Sequence, residues 1–222
     1  SVVSRAKIAL EFPTGDWKAS KTWKDQQRVQ RPTFFSGANM LPVMMSEIKG
    51  MELSLDGFQY QSDHTDCLIQ VIRKLSVGVI VRLIYDRANF LNSSCARQAP
   101  RMQELFEAGA ELKVMKPSGG GYSCMHVKTL IFDRKVLLTG SVNITHNGME
   151  NNKEHLYRIS DSSLIADVLA DYEEVWASAE PVTQEMVADM MDRHTKRPSR
   201  SRSKSVSRSL STELDDARGS GK

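Results

Sequence analysis

The stretch HVKTLIFDRKVLLTGSVN, residues 126–143, holds two apolar runs separated by the charged triplet Asp133-Arg134-Lys135. Two such runs around a polar triplet are typical of a β-hairpin. A turn centred on the triplet sets His126 opposite residue 142. Ser141 and Asn143 are therefore expected beside His126, so that an imidazole, a hydroxyl and a side-chain amide lie at one end of the hairpin.

A lysine joins this group if the first apolar run is a strand. Residues two apart along a strand point to the same face and lie roughly 6.6 Å apart. His126 and Lys128 are then expected to project together. An imidazole beside a cation suits a phosphate anion, because the imidazole can attack phosphorus or protonate the leaving oxygen. An isolated His-x-Lys pair is more commonly a core histidine beside a lysine of an edge strand.

Strand-like and helix-like segments alternate around the hairpin. The apolar run 77–85 is typical of a strand buried on both faces. Residues 67–75 and 164–176 carry apolar side chains at helical spacing, and residues 111–115 and 157–159 predict further strands. Strands that alternate with helices indicate an α/β sandwich.

Length and composition limit the domain count. The chain has 222 residues, of which 40% are hydrophobic and 26% charged, as expected for one sizeable domain with appendages. Two large catalytic domains are excluded. We predict a polar basic extension over residues 1–31, a catalytic domain over residues 32–192 and a disordered Arg/Ser-rich tail over residues 193–222.

The positive charge is concentrated at the two ends. Residues 1–31 carry seven basic and three acidic side chains, residues 32–192 carry 14 and 21, and residues 193–222 carry nine and three. A net acidic body does not attract nucleic acid or anionic lipid by its overall charge. An RNA or a peripheral membrane surface is therefore expected to meet the basic ends, or a local basic pocket.

Cysteine usage and hydropathy bear on the compartment. The three cysteines are too few and too scattered for a disulfide framework, which favours a reducing compartment. No window holds 18 consecutive apolar residues, and residues 1–10 lack the apolar core of a secretory signal. The sequence predicts a soluble protein inside the cell, and it leaves open whether that protein is cytoplasmic or mitochondrial.

Metal and nucleotide signatures are missing from the sequence. His64 and Cys67 lie three apart and Cys124 precedes His126 by two, which is not a four-ligand zinc pattern. Cys67 falls on a helical apolar stripe and is expected to be a core thiol. There is no Gly-x-Ser-x-Gly elbow and no Walker-type loop. We therefore expect no metal and no cofactor. The second His-x-Lys, at residues 194–196, lies in the polar tail and is assigned no catalytic role.

The full pattern His-x-Lys-x4-Asp at residues 126–133, followed by Gly-Ser-x-Asn, resembles the HKD motif of the phospholipase D superfamily. Asn152-Lys153-Glu154 resembles the family's later Asn-x-Glu stretch, although His155 stands where many members have a second Asn. The elements from about residue 52 to residue 179 resemble one HKD repeat. The resemblance implies a mixed sheet flanked by helices, an α/β/α sandwich, in the single-motif branch that includes a bacterial nuclease and a mitochondrial cardiolipin hydrolase.

The resemblance also implies a role for each residue of the motif. In this family two HKD motifs meet at one site, where one histidine becomes a phosphohistidine and the other protonates the leaving group. One motif per chain implies a homodimer with two copies of His126 at one phosphate. Lys128 and Asn143 match phosphate-binding positions, and Ser141 assists them. Glu154 matches the carboxylate that orients an imidazole.

Asp133 also belongs to the signature, and we expect it to be structural, because an Asp that opens a turn satisfies local backbone groups. His155 is expected to be a surface residue.

The activity implied by the motif is metal-independent phosphodiester cleavage, and the motif does not choose the substrate. A nuclease and a lipid phosphodiesterase such as a cardiolipin hydrolase use the same central residues. A third interpretation is a catalytically silent HKD-like scaffold whose Arg/Ser tail binds RNA or a partner protein. A damaged motif would favour the scaffold, and every core position is intact here.

Overall fold

The computed structural model describes residues 31–92, 97–119 and 123–196. The predicted extension, up to residue 30, and the predicted tail from residue 197 onward lie outside the described residues. None of the helices within these ranges has the length and apolar character needed to cross a membrane.

The described residues form one eight-stranded mixed sheet with helices on both faces. The elements are β1 (Thr33–Ser36), α1 (Met40–Gly50), β2 (Ser54–Gln59), α2 (Thr65–Leu75), β3 (Ile80–Asp86), α3 (Arg87–Phe90), α4 (Gln98–Glu107), β4 (Glu111–Met115), β5 (Thr129–Phe132), β6 (Val136–Gly140), β7 (His155–Ile159), α5 (Ser162–Ser178), β8 (Glu180–Pro181) and α6 (Gln184–Thr195).

The strand order is β1-β7-β6-β5-β2-β3-β4-β8. Strands β2, β3 and β4 are parallel, and every other neighbouring pair is antiparallel. The apolar run predicted to be a doubly buried strand is β3, which lies between two parallel neighbours. This placement confirms the prediction, because parallel strands need cover on both faces.

Two helical layers cover the sheet, which confirms the predicted α/β/α sandwich. The main core lies under α1, α2, α4 and α6, and its buried members include Met44, Leu68, Met102 and Met190. The long helix α5 covers part of the opposite face. There the Tyr172 ring packs edge-on against a β2 side chain, Phe58, with the ring centroids 5.3 Å apart.

The predicted hairpin is confirmed in its register. Strands β5 and β6 pair with Thr129 opposite Thr139, which is the register of a turn centred on residue 134. Asp133 and Arg134 are the first two residues of the three-residue loop between β5 and β6, and both have positive φ, at 52° and 55°. The strand itself is shorter than predicted, because residues 123–128 lie before β5 as irregular backbone.

The sequence predicts that the Asp133 carboxylate accepts hydrogen bonds from backbone groups of its own turn. In the structure its hydrogen bonds come from another part of the chain. It accepts hydrogen bonds from the amides of Glu52, Leu53 and Ser54, at 2.7–3.1 Å. These amides precede β2, the strand that neighbours β5, so Asp133 ties the hairpin to the adjacent strand. Burial acts to raise the pKa of Asp133, but the three amides together with the Lys135 cation outweigh it and hold this pKa below its usual value.

Asp133→Ala is expected to lower the free energy of unfolding by about 1–3 kcal/mol, since three amides lose their acceptor and two of them can be rehydrated. Because the folded-state pKa is depressed, the stabilisation is fully present above the unfolded value of 3.8 and is lost as the pH falls through the folded-state pKa. Urea unfolding at neutral and acid pH checks both points. Lys49→Ala, at an exposed position of α1, is the control, and an equal effect of the two substitutions would contradict the assignment.

The last helix extends past the predicted domain boundary at residue 192. Helix α6 continues through residue 195, so residues 193–195 are helical rather than part of a disordered tail. Thr183 caps the helix by accepting from the Met186 amide, and Val187 and Met190 are buried beneath it. Arg193 pairs with Asp189 one turn earlier, at 2.5 Å. These contacts hold a polar segment whose composition alone resembles a tail.

Candidate active site

The predicted site residues lie along one edge of the sheet. Strands β2, β3 and β6 end at this edge, whereas β5 and β7 begin there. The edge therefore carries Tyr60, Asp86, residues 125–128, residues 141–143 and Glu154. The antiparallel pairings thus bring together all of the predicted catalytic positions.

His126 and Lys128 converge on one aromatic ring. The His126 ring meets the Tyr60 ring edge-on, with the centroids 4.7 Å apart. The Lys128 ammonium lies 5.1 Å from the centroid of the same ring and donates a hydrogen bond to the backbone oxygen of His126 at 2.7 Å. The two side chains are therefore neighbours, as predicted, although the segment that carries them is not a strand.

Lys128 is 5% exposed, whereas His126 is exposed. Burial lowers the pKa of Lys128, and the nearby Cys124 and Glu154 oppose this shift. Within the described chain the ammonium has one hydrogen-bond acceptor, so two of its three N–H groups remain for another ligand. A partly desolvated cation interacts strongly with an anion that reaches it.

The surroundings of the His126 imidazole favour its neutral form. Desolvation lowers its pKa, the Lys128 cation lowers it further, and the Asp86 carboxylate acts in the opposite direction. A neutral imidazole keeps a lone pair on one ring nitrogen, which a nucleophile or a general base requires.

The imidazole of His126 is therefore expected to titrate below its usual value of about 6.5. Proton NMR of the histidine ring signals over a pH series measures this midpoint, and the spectrum of His126→Ala assigns the signal. A midpoint at or above the usual value would contradict the arrangement of charges described here.

Close packing of β6 on β7 accounts for the glycine before Ser141. A Cβ atom on Gly140 would lie 2.1 Å from the backbone oxygen of His155, which leaves no room for a side chain. Ser141 then bonds to the same residue twice: its amide donates to the His155 oxygen and its Oγ accepts from the His155 amide, both at 3.1 Å. The Gly-Ser pair of the motif thus fixes the Ser141 hydroxyl at the site edge.

Glu154 contacts this hydroxyl rather than an imidazole. The Ser141 Oγ donates to one carboxylate oxygen of Glu154, and the Asn152 side-chain amide donates to the other at 3.3 Å. The carboxylate is half-buried. Among the described residues, Glu154 therefore holds the hydroxyl and the preceding loop in place, which is a positioning role.

Asn143 carries a buried acceptor that has no donor. Its Oδ1 atom has no hydrogen-bond partner within the described part of the chain. A buried polar atom left unpaired typically costs 1–3 kcal/mol.

Two residues of the site are not identified by the sequence analysis. Tyr60 supplies the ring between His126 and Lys128. Asp86 accepts from the Met125 amide at 2.8 Å and so positions the segment that leads into His126. Both follow or end parallel strands, and in α/β sheets ligands bind at the carboxyl ends of such strands. That rule is the signal that would have found them.

A second cluster lies next to this edge, where His64, His146 and Glu150 place ligand atoms within 4.8 Å of one another. The two rings are stacked at 4.4 Å. However, His64 Nδ1 accepts from the Cys67 amide, and His146 Nε2 accepts from the Thr65 amide. The ring nitrogens nearer to Glu150 therefore carry the protons, as His64 Nε2 does in its 3.2 Å contact with that carboxylate.

The two described cysteines lie in different surroundings. Cys67 is fully buried in the main core, which confirms the predicted core thiol, and burial together with Asp66 and Glu150 raises its pKa to about 12. Cys124 is exposed and precedes the site segment.

The fold and the edge site together define a phospholipase D-like domain. The family model described as "Cardiolipin synthase, PLD-like domain" matches residues 44–176, which include every predicted site residue. The chain therefore belongs to this family of the phospholipase D superfamily.

Similar proteins include the mitochondrial cardiolipin hydrolase of Mus musculus, which is 28% identical over 144 residues. The match covers 65% of this chain and 59% of that protein. The corresponding proteins of Canis lupus familiaris and Homo sapiens are each covered over 52% of their length. The chain thus spans little more than half the length of these curated relatives.

Similar solved structures support the fold. NucT from Helicobacter pylori has a TM-score of 0.62 and 22% identity, over 68% of this chain and 99% of that chain. Nuc from Salmonella typhimurium, a phospholipase D family member, has a TM-score of 0.60 and 18% identity, over 69% of this chain and 100% of that chain. The matched part of this chain therefore corresponds to nearly the whole length of each of these two proteins.

Proposed function

We propose that the chain is a metal-independent phosphodiesterase that cleaves a nucleic acid or a phospholipid such as cardiolipin, and that it acts as a homodimer through a phosphohistidine. The observation that carries the proposal is the exposed His126 imidazole, with depressed pKa, beside the buried Lys128 cation. The names of the curated relatives support the same class of reaction.

In the proposed dimer, a group of the site can carry out each step of the reaction. A nitrogen of one neutral His126 attacks phosphorus while the bond from phosphorus to the leaving oxygen breaks. A second His126, protonated, gives its proton to that oxygen. Water then attacks the phosphohistidine, the second imidazole takes a proton from the water, and the P–N bond breaks. Lys128 stabilises the charge that develops on the non-bridging oxygens.

The homodimer is supported by what one copy of the site contains. The edge carries a single HKD histidine, and the mechanism needs an imidazole on each side of phosphorus. A twofold axis at the edge supplies the second imidazole.

Metal independence is supported by the donors at the edge. Lys128, Ser141 and Asn143 bring a cation, a hydroxyl and an amide to the phosphate position, so charge on the phosphate can be neutralised without a metal ion. We therefore expect a chelator to leave the activity unchanged.

The test is cleavage of labelled single-stranded RNA, labelled single-stranded DNA and cardiolipin vesicles in excess chelator, with His126→Ala as control. Cleavage of any of the three that disappears in the variant supports the proposal. Loss of cleavage on addition of chelator would overturn metal independence. No cleavage of any of the three would favour the catalytically silent scaffold.

A further inference from the structure

An aromatic patch of Phe34, His155 and Tyr157 continues from the active-site edge onto one face of the sheet. Phe34 lies opposite Tyr157 in the β1–β7 register. The centroid of the Phe34 ring lies 5.1 Å from that of His155 and 5.4 Å from that of Tyr157, with the ring planes inclined at 70° and 51°. The three rings therefore form one connected surface.

This aromatic patch lies where helix α5 leaves the sheet uncovered. Two residues beyond Tyr157 on the same face, Ile159 is buried against Ile165 of α5. Toward the active-site edge the cover ends, and Phe34 is 50% exposed and Tyr157 38% exposed. Two adjacent exposed aromatic side chains beside a candidate site indicate a surface that contacts a ligand.

The backbone joins the aromatic patch directly to the site. The backbone oxygen of His155 accepts from the Ser141 amide and its backbone amide donates to the Ser141 hydroxyl, and His155 follows Glu154 in sequence. The patch therefore adjoins the Ser141 hydroxyl, one of the predicted phosphate contacts.

Resting on the proposed function, we infer that the aromatic patch stacks a base next to the scissile phosphate of an unpaired nucleic-acid strand. Every base offers a flat face to an aromatic ring, and this stacking is tolerant of sequence. An unpaired strand is needed, because a base inside a duplex is already stacked.

A lipid surface fits the exposed apolar residues less well. A membrane-binding face needs a continuous apolar area. Among the residues that the structure describes at the site edge, Val127 is the large apolar side chain exposed outside the aromatic patch, at 46%. Others lie at the opposite edge, where β2 and β3 begin and α5 starts; they are Leu53, Val77, Ile80 and Leu164.

The test measures binding in the His126→Ala background, so that no substrate is consumed. Fluorescence anisotropy compares a labelled single-stranded oligonucleotide with one of the same length that carries abasic residues at its centre. The base-bearing strand is expected to bind about 10-fold to 100-fold more tightly, and added Phe34→Ala or Tyr157→Ala is expected to reduce this ratio toward one. Phe34→Tyr and Tyr157→Phe are expected to keep the ratio. Leu164→Ala is the matched control, since this side chain is 41% exposed at the opposite edge.

Three results would overturn the inference. The first is equal affinity for both strands. The second is a lower sedimentation mass of Phe34→Ala, which would make the patch a subunit contact. The third is loss of cardiolipin-vesicle binding in Phe34→Ala with the preference for bases unchanged, which would make it a lipid contact. A preference for bases in a wild type that cleaves neither the strands nor cardiolipin would support the patch and contradict the proposed function, so the two failures are distinguishable.

Discussion

Replacing His126 with alanine is expected to lower phosphodiester cleavage by about 10,000-fold or more, because the substitution removes the nucleophile and the general acid at once. In the proposed dimer both roles belong to copies of this one residue. Initial rates on a substrate that the wild type cuts, measured in excess chelator, check the loss. Cleavage that survives in the variant would place the chemistry on another residue.

Mixed dimers separate a shared site from two independent ones. If wild-type and His126→Ala subunits are mixed equally and allowed to exchange, the mixture is expected to retain about one quarter of the wild-type activity, since random pairing leaves that share of dimers with two imidazoles. Retention of about one half would show that each subunit works alone. A mixture of wild-type and Leu164→Ala subunits controls for losses during exchange, since Leu164 lies at the opposite edge of the sheet.

The hairpin could be predicted because its information is local. The apolar runs around residues 133–135 set the register, and the register brings Ser141 and Asn143 to the edge where His126 lies. The strand β3 could also be predicted, because a strand covered on both faces needs apolar residues at nearly every position. Patterns of this kind depend only on residues that are close in sequence, so one sequence is enough to recognise them.

The contacts that complete the site depend on distant parts of the chain. Tyr60 reaches His126 because β2 and β5 are adjacent, and Asp86 holds Met125 across 39 positions of sequence. The carboxylate of Asp133 likewise finds its amides about 80 residues earlier. Periodicity does not encode such partners. The strand β1 is also missed, because four residues at a sheet edge carry too little pattern.

The Lys128 cation is expected to contribute nearly as much to the cleavage rate as the His126 imidazole does. Lys128→Met preserves most of the apolar stem and removes the charge, and we expect it to slow cleavage by about 100-fold to 1,000-fold, as loss of a charge-stabilising donor typically does. The loss should appear in kcat, because the negative charge on the phosphate oxygens grows as the transition state is reached.

The same substitution predicts a change in the neighbouring group. Lys128 contributes to the depression of the His126 pKa, so this pKa should rise in Lys128→Met, by NMR titration. Lys113→Met is the matched control, since Lys113 also lies against an aromatic ring, 4.5 Å from the Trp176 centroid, but away from the site. A slow Lys128→Met enzyme with unchanged His126 titration would mean that Lys128 binds substrate without setting the protonation of His126. A Lys128→Met enzyme that cleaves as fast as the wild type would show that Lys128 has no part in catalysis.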